Sequence, residues 1–228
     1  MSDRYDKLDN PAWHALAEAH AAFSIGNNYV KRYQPQIVAF AAYHHGSERV
    51  SEQLDEHINT GEQFFIIGPL PALAANYKVE TILPCAQMIY EKKVPIPITE
   101  SIEQLGEENE QEMYELVNAV QPGYYKPGTR LMGDYFGIRQ QGKLVAMSGE
   151  RMRMHHLTEV SAVVTHPRFT GRKYAQQLVA HVVNKNVAVG ITPFLHVSEV
   201  NERAISIYEL LGFAKRRSIN FTKIKRVS

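Results

Sequence analysis

The stretch SAVVTHPRFTGRKYAQQLV, residues 161–179, could hold an anion through Gly171, Arg172, Lys173 and the backbone amides that follow them. A run of β-formers meets Pro167, then a glycine followed by two cations, and then a helical pattern starts. The first amides of a helix have no intrahelical acceptor, and they point along an axis whose dipole favours negative charge. Gly171 lets a ligand approach the backbone closely, and Arg172 and Lys173 add mobile positive charge, so the junction reads as a cradle for a phosphate or pyrophosphate. A plain strand-to-helix turn of an α/β protein has the same outline. Neither the Walker A pattern nor Gly-x-Gly-x-x-Gly occurs at the junction, which counts against nucleoside triphosphates and dinucleotides.

The elements that must position this junction are legible in the periodicity. Tyr174, Leu178 and Val182, with Val179 and Val183 beside them, form an apolar stripe at helical spacing, which puts Gly171 in the first turn of a helix. Upstream, DYFGIRQQGKLVAMSGERMRM reads as two strands joined at residues 140–143, and HHLTEVSAVVT as a third. Downstream, ITPFLHV is a strand, NERAISIYELLGF a helix ended by Gly212, and RRSINFTKI a closing strand. The basic tail KRRSINFTKIKR alternates as an edge strand would, where lysines discourage aggregation. In the first part of the chain PAWHALAEAHAAF reads as a helix and IVAFAAY as a strand or buried segment. SERVSEQLDEHI places Val50, Leu54 and Ile58 on one helical face, with Ser47 as its cap. FFIIG and VETILPCAQMIYE read as strands, and this alternation implies an α/β layer. KKVPIPIT, with Pro95 and Pro97, suits neither a central strand nor a helix and marks a boundary between residues 1–92 and residues 93–228. Past it, the carboxylate-rich residues 103–115 read as a solvated helix start whose buried face is Met113, Leu116, Val117 and Val120, and QPGYYKPGTR as a loop.

Composition narrows the class. The chain has 228 residues, 44% hydrophobic and 21% charged, enough for one large core or two small ones. A formal net charge of +1 with interspersed signs gives no global field for non-specific nucleic-acid binding, so an anion must be held locally. Cys85 is the only cysteine, which excludes an intramolecular disulfide and a multi-cysteine zinc site and suits a reducing compartment. No signal-like segment and no run of roughly 18 apolar residues occurs, so a cytoplasmic location without membrane or nucleic-acid partners is expected.

Taken together, VVTHP, the turn RFTGRKYA and, some twenty-five residues on, FLHVSEVNERAISIYELLGF resemble the acyl-CoA-binding core of the GNAT N-acetyltransferase superfamily. The resemblance covers residues 93–224 and is strongest over 142–213. It implies an α/β fold with a mixed, mostly antiparallel central sheet, a splayed strand and flanking helices. Residues 159–165 would be that splayed strand, its backbone at Val163, Val164 and Thr165 binding the pantetheine arm of acetyl-CoA, and residues 170–175 the pyrophosphate loop. The family pattern there is Gln or Arg, two residues, Gly, one residue, then Gly or Ala. In this chain Thr170 replaces the usual Gln or Arg, Lys173 stands where a glycine is common, and Gly171, Arg172 and Ala175 fit, with Tyr174 between. Because backbone amides do the binding, acetyl-CoA remains the implied cosubstrate, without a metal.

Acyl transfer to an amine needs the amine neutral, the carbonyl oxygen stabilised as charge develops, and a proton for the leaving thiolate. Glu159 is the candidate base. It starts the strand that the resemblance splays, on the face that strict alternation gives also to Ser161, Val163 and Thr165; a cross-strand ion pair with Arg151 or Arg153 is the structural reading. Tyr208 shares a helical face with Ala204 and Leu211, as a core aromatic would, while the resemblance implies that it protonates the thiolate. Asn201 either caps that helix or bonds the pantetheine. The oxyanion donor implied is the backbone N–H of Val163 or its neighbour. His155 and His156 are adjacent on an extended segment, a poor chelating pair that reads as a solvated loop, and His196 reads as a satisfied core histidine. The loop with Tyr124 and Tyr125 is implied to line the acceptor pocket.

The function implied is acetyl transfer from acetyl-CoA to a primary amine of a small molecule or a protein by direct attack in a ternary complex; a non-catalytic acyl-CoA-binding or sensory module is the alternative. The two-part chain resembles the glycine N-acyltransferase-like branch, whose first half can be a worn copy of the same fold shaping the acceptor cleft or a homodimer surface. GPLPALAAN, the glycine-containing segment of that half, has no cations, so one coenzyme site per chain is expected.

Overall fold

A computed structural model describes residues 5–228. Chain contacts gather into two compact units, one of residues 5–35, 39–85 and 218–228 and one of residues 36–38 and 86–217. The division thus differs from a single boundary at 92/93, because the last strand of the chain takes part in the first unit. In chain order the elements are α1 (Pro11–Ala17), β1 (Ser24–Gly26), β2 (Val30–Tyr33), β3 (Phe40–Tyr43), α2 (Val50–Asp55), β4 (Gln63–Ile67) and β5 (Tyr77–Tyr90). There follow β6 (Glu103–Leu105), α3 (Glu110–Val120), β7 (Tyr135–Gln140), β8 (Lys143–Met154), β9 (Leu157–Thr165), α4 (Tyr174–Ala188), β10 (Thr192–Ser198), α5 (Glu202–Leu210) and β11 (Phe213–Arg226).

In the first unit the strand order is β1-β2-β3-β4-β11-β5, antiparallel from β1 to β3, parallel between β3 and β4, and antiparallel between β4 and β11. The closing strand is therefore interior and not an edge. Two of its cations are paired: Lys223 lies 3.5 Å from Glu80, and Arg226 lies 3.4 Å from Asp55 and donates to the carbonyl of Ile58. Helix α1 stops at Ala17, short of the predicted length, because the amides of both Glu18 and His20 turn back to the carbonyl of Ala15. Val50, Leu54 and Ile58 bury one face as their spacing predicts. The cap of α2 is Arg49 in the left-handed conformation; Ser47 instead donates to Tyr29.

The second unit has the order β11-β5-β10-β9-β8-β7-β6. The predicted hairpin closes β7 onto β8 with Gln140 opposite Lys143, and Gln141 and Gly142 both take positive φ, as a two-residue turn of right-handed twist requires. Glu103 lies in β6 and not in a helix; Arg139 draws it and Glu112 together, at 2.5 and 2.7 Å. Two core clusters cover the sheet. Tyr174, Leu178, Val179, Val182 and Val183 of α4 pack with Val160, Leu195 and Val197, while Met113, Leu116 and Val117 of α3 pack with Tyr135, Met147 and Val164. The result is the α/β fold expected, a mostly antiparallel sheet between helices.

Candidate active site

Strands β9 and β10 pair in parallel only at Leu157 with Thr192, Thr158 with Pro193 and Glu159 with Phe194. Beyond Glu159 both strands run on, unpaired with each other, so a fork opens in the sheet. On its other side β9 stays with β8, but the register slips: Gly149 faces Ser161 and Met147 faces Val164. Three residues on β9 thus answer two on β8, a β-bulge whose extra residue, Ala162, takes φ +51°. The bulge shifts the phase of the strand. Val160 and Val163 both belong to the α4 side, Ala162 and Val164 to the α3 side, so Glu159, Ser161, Val163 and Thr165 do not share one face as alternation predicted. Gly149 sits opposite the bulge because a Cβ there would meet the Tyr135 ring at 2.3 Å.

A strand that leaves its neighbour has backbone groups that need a partner. At the far end of the unpaired segment the hydroxyl oxygen of Thr165 is also buried without a hydrogen-bond partner. The chain then turns through Pro167–Phe169, where the His166 ring accepts from the Arg168 amide at 3.2 Å and the Thr170 hydroxyl donates to Pro167 at 3.1 Å. Gly171 follows at φ +80° and Lys173 at φ +60°, and α4 begins only at Tyr174, so Gly171 precedes the helix and does not form its first turn. Among the described residues, none beyond Gly171 and its two chain neighbours has an atom within 4 Å of where a Gly171 Cβ would stand, and the Arg172 guanidinium rests 5.1 Å from the Phe169 ring centre. The first bond of the helix runs from the Gln177 amide to Lys173, leaving the amides of Tyr174 and Ala175 for an outside acceptor. Lys173 holds the left-handed conformation that glycine adopts at least cost, at the position where the pattern named above usually has glycine.

Helix α5 is capped by Asn201, whose side-chain oxygen accepts from the Ala204 amide at 3.1 Å. It ends at Gly212, φ +95°, whose carbonyl accepts from Glu91 and Lys92. Tyr208, partly buried, meets Phe213 edge-on at 6.1 Å and packs against the cluster that also takes in Val163, Phe169 and Tyr174. Burial pushes its hydroxyl up to about 12, so it carries its proton throughout the neutral range.

Glu159 is fully buried. Arg151 donates to both of its oxygens, at 2.7 and 2.6 Å, and His196 Nδ1 lies 2.8 Å from Oε1. Burial alone would raise this carboxyl, but the Arg151 guanidinium and the His196 bond outweigh it and hold the group down at about 2. An enclosed carboxylate of that acidity takes no proton at neutral pH. The ion-pair reading, with Arg151 and not Arg153, is the one this geometry favours. The sequence reading did not find Gln87 and Arg216, which continue the same chain of bonds: Gln87 Nε2 lies 3.0 Å from His196 Nε2, and Arg216 donates to Gln87 Oε1 at 3.0 Å. Gln87 has one sequence signal, a polar residue in the otherwise apolar end of β5, CAQMIY, whereas Arg216 stands between Lys215 and Arg217 in a basic stretch and has none.

The structure thus brings Val163, Tyr174 and Tyr208 to one cluster beside the fork, and sets Thr165 and residues 170–175 at the end of β9. Asn201 is committed to its cap, and His155 and His156 form the exposed β8–β9 turn. Tyr124 is exposed, whereas Tyr125 is buried with Ala162 and Val164 in the α3 cluster, its hydroxyl without a hydrogen-bond partner.

Residues 135–222 match the family model described as FR47-like protein. The structure of an acetyltransferase assigned to the GNAT family from Novosphingobium aromaticivorans is 33% identical, covers 97% of this chain and 99% of its own, and superposes with a TM-score of 0.89. The chain belongs to the GNAT family. Two more distant structures share the fold of this chain: a GNAT-family acetyltransferase from Colwellia psychrerythraea at 14% identity, with 85% and 80% of the two chains covered and a TM-score of 0.55, and a Drosophila protein at 14% identity, 87% and 74% covered, TM-score 0.64. No protein of curated function matches the sequence. These likenesses place the chain in the GNAT family, of which an acyltransferase activity is the common property, and not in a branch of it. Within this GNAT chain the first unit repeats part of the pattern of the second. Strands β3 and β4 pair in parallel at Phe40 with Phe65 and Ala41 with Ile66 only, and α2 between them follows a turn with Gly46 at φ +84° and a left-handed cap at Arg49. The counterpart of the Gly171 junction is thus residues 44–49 and not GPLPALAAN. There the helix has six residues and Arg49 is paired with Glu52.

Proposed function

We propose that the chain transfers the acetyl group of acetyl-CoA to a primary amine of a small molecule or a peptide. The observation that carries this is the end of β9–β10 pairing at Glu159, on a strand that leads directly into the Gly171–Lys173 junction. Bound acetyl-CoA would supply an acetyl group activated as a thioester. The residues present suit it: unpaired β9 backbone and the orphaned Thr165 hydroxyl for an amide-bearing arm, and the amides at the head of α4 with Arg172 for a pyrophosphate. The backbone N–H at Val163 is the donor for a carbonyl oxygen that gains charge. Tyr208 holds a proton at its hydroxyl for a departing thiolate. Glu159 positions and does not accept the proton, so an ammonium, with a pKa near the lysine value of about 10.4, reaches the site as its neutral fraction after losing its proton to water. The Tyr124–Tyr125 loop supports the acceptor side.

Calorimetric titration with acetyl-CoA and with CoA, at low and moderate salt, tests the reading. One equivalent per chain, weakened roughly three- to tenfold by Arg172→Ala and more so at low salt, is the expected result. Failure of both ligands to bind at low salt overturns it.

A further inference from the structure

Five strands adjacent in the sheet of the second unit each contribute one side chain to a line of bonds that is buried at its centre and partly buried at its two arginine ends: Arg151 from β8, Glu159 from β9, His196 from β10, Gln87 from β5 and Arg216 from β11. The line crosses the fork at the residue where backbone pairing between β9 and β10 ends. Phe194 is the last residue of β10 to face β9, opposite Glu159; His196, two residues further and on the same face, reaches back to the Glu159 carboxylate at 2.8 Å. The donors are fixed by the chain itself. Because Arg216 donates to Gln87 Oε1, the Gln87 NH2 faces His196 Nε2, which must accept; Nδ1 is then the nitrogen that carries hydrogen and donates to Glu159. Both ring nitrogens are used, and the ring cannot rotate without losing both bonds.

Past Glu159 no sheet hydrogen bond between the two strands fixes how far β9 stands from β10, yet the β10-side backbone of Val160–Val163, on a strand held only by β8, lies one to four residues on. We infer that His196 is a positioning residue of the transfer reaction: by bridging the fork it fixes Glu159, and with it the direction in which the bulged segment presents its amides. This rests on the proposal that acetyl-CoA occupies the fork. The effect is one of geometry at the reacting end, so it should appear in turnover and not in coenzyme affinity, most of which comes from the distant α4 junction.

The test uses the full chain, acetyl-CoA as the ligand, and transfer of its acetyl group to water or to an added primary amine as the reaction, read as the free CoA thiol released. His196→Phe fills the space without a donor, and His196→Asn restores an N–H near the place of Nδ1. Expected are a fall in kcat of roughly ten- to a hundredfold for His196→Phe, a change in acetyl-CoA Kd of less than about threefold, and recovery of most of the rate in His196→Asn. In a Glu159→Gln background the same His196→Phe change should cost less than about twofold more, since the two act through one bond. Wild-type kcat in a folded His196→Phe variant, an Asn variant no better than the Phe variant, or losses that simply multiply would each overturn the inference. So would wild-type binding of acetyl-CoA without measurable CoA release. If wild type binds no acetyl-CoA, the proposed function fails first; the bridge is then read from the nitrogen-15 spectrum of His196, and a hydrogen on Nε2 in place of Nδ1 would exclude it.

Discussion

Arg151 grips both carboxylate oxygens of Glu159, at 2.7 and 2.6 Å, one strand away from the point where the sheet divides. A buried charge so held is a statement about stability. The Glu159 carboxyl lies at about 2 in the folded chain against an ordinary 4.5, so its contribution is complete above pH 4.5 and is lost as pH falls from there towards 2. The difference corresponds to about 3 kcal/mol at one pKa unit per roughly 1.4 kcal/mol. Thermal unfolding between pH 2 and 7 should show Tm falling through that window in wild type. Glu159→Gln, which leaves Arg151 without its counter-charge, should have a lower Tm at pH 7 and a flatter profile below 4.5. Parallel profiles would show that the pair does not carry the acid sensitivity.

Tyr208→Phe should lower kcat by roughly ten- to a hundredfold while acetyl-CoA Kd stays within about twofold of wild type. With the hydroxyl held near 12, wild-type kcat should show no loss attributable to this acid as pH rises from 7 to 10. Steady-state rates across pH, beside calorimetry, check both. An unchanged rate in the Phe variant removes Tyr208 from the chemistry.

Lys173 occupies a left-handed cap that glycine would take without strain. Lys173→Gly should therefore fold at least as stably as wild type and keep acetyl-CoA binding, with a modest loss for the missing charge. Lys173→Val, β-branched at positive φ, should be destabilised by about 1–3 kcal/mol and bind more weakly. Denaturant titration and calorimetry on the pair decide; equal stability of the two would mean the cap has moved.

Gly149→Ala pushes a methyl group to 2.3 Å from the Tyr135 ring. That ring is fully buried and its hydroxyl donates to the Thr129 carbonyl at 3.2 Å, so it cannot swing away freely. A loss of about 1–3 kcal/mol is expected, with weaker acetyl-CoA binding because Gly149 faces the bulge at Ser161. Gly142→Ala is the control on the same hairpin: no atom lies near its Cβ position, so only its positive φ is disturbed.

The residues that make local structure by themselves were legible in the sequence. The turn at Gln141–Gly142, the apolar stripe of α4, the Asn201 cap and the Gly212 stop of α5, and the strand–glycine–cation junction all depend on neighbours within one or two turns of chain, and side-chain type alone selects them. The tertiary structure decided the rest. One extra residue at Ala162 reverses the facing of everything after it, and no periodicity along β9 can report a slip measured against β8. The place of β11 between β4 and β5 turned apparent edge cations into paired ones. Glu159 reads as a free carboxylate until Arg151 and His196 close on it, and Gln87 and Arg216, 129 residues apart, become partners only because their strands are neighbours. Propensity acts through the nearest few residues, whereas register and buried charge are set by strands that meet only in the folded sheet.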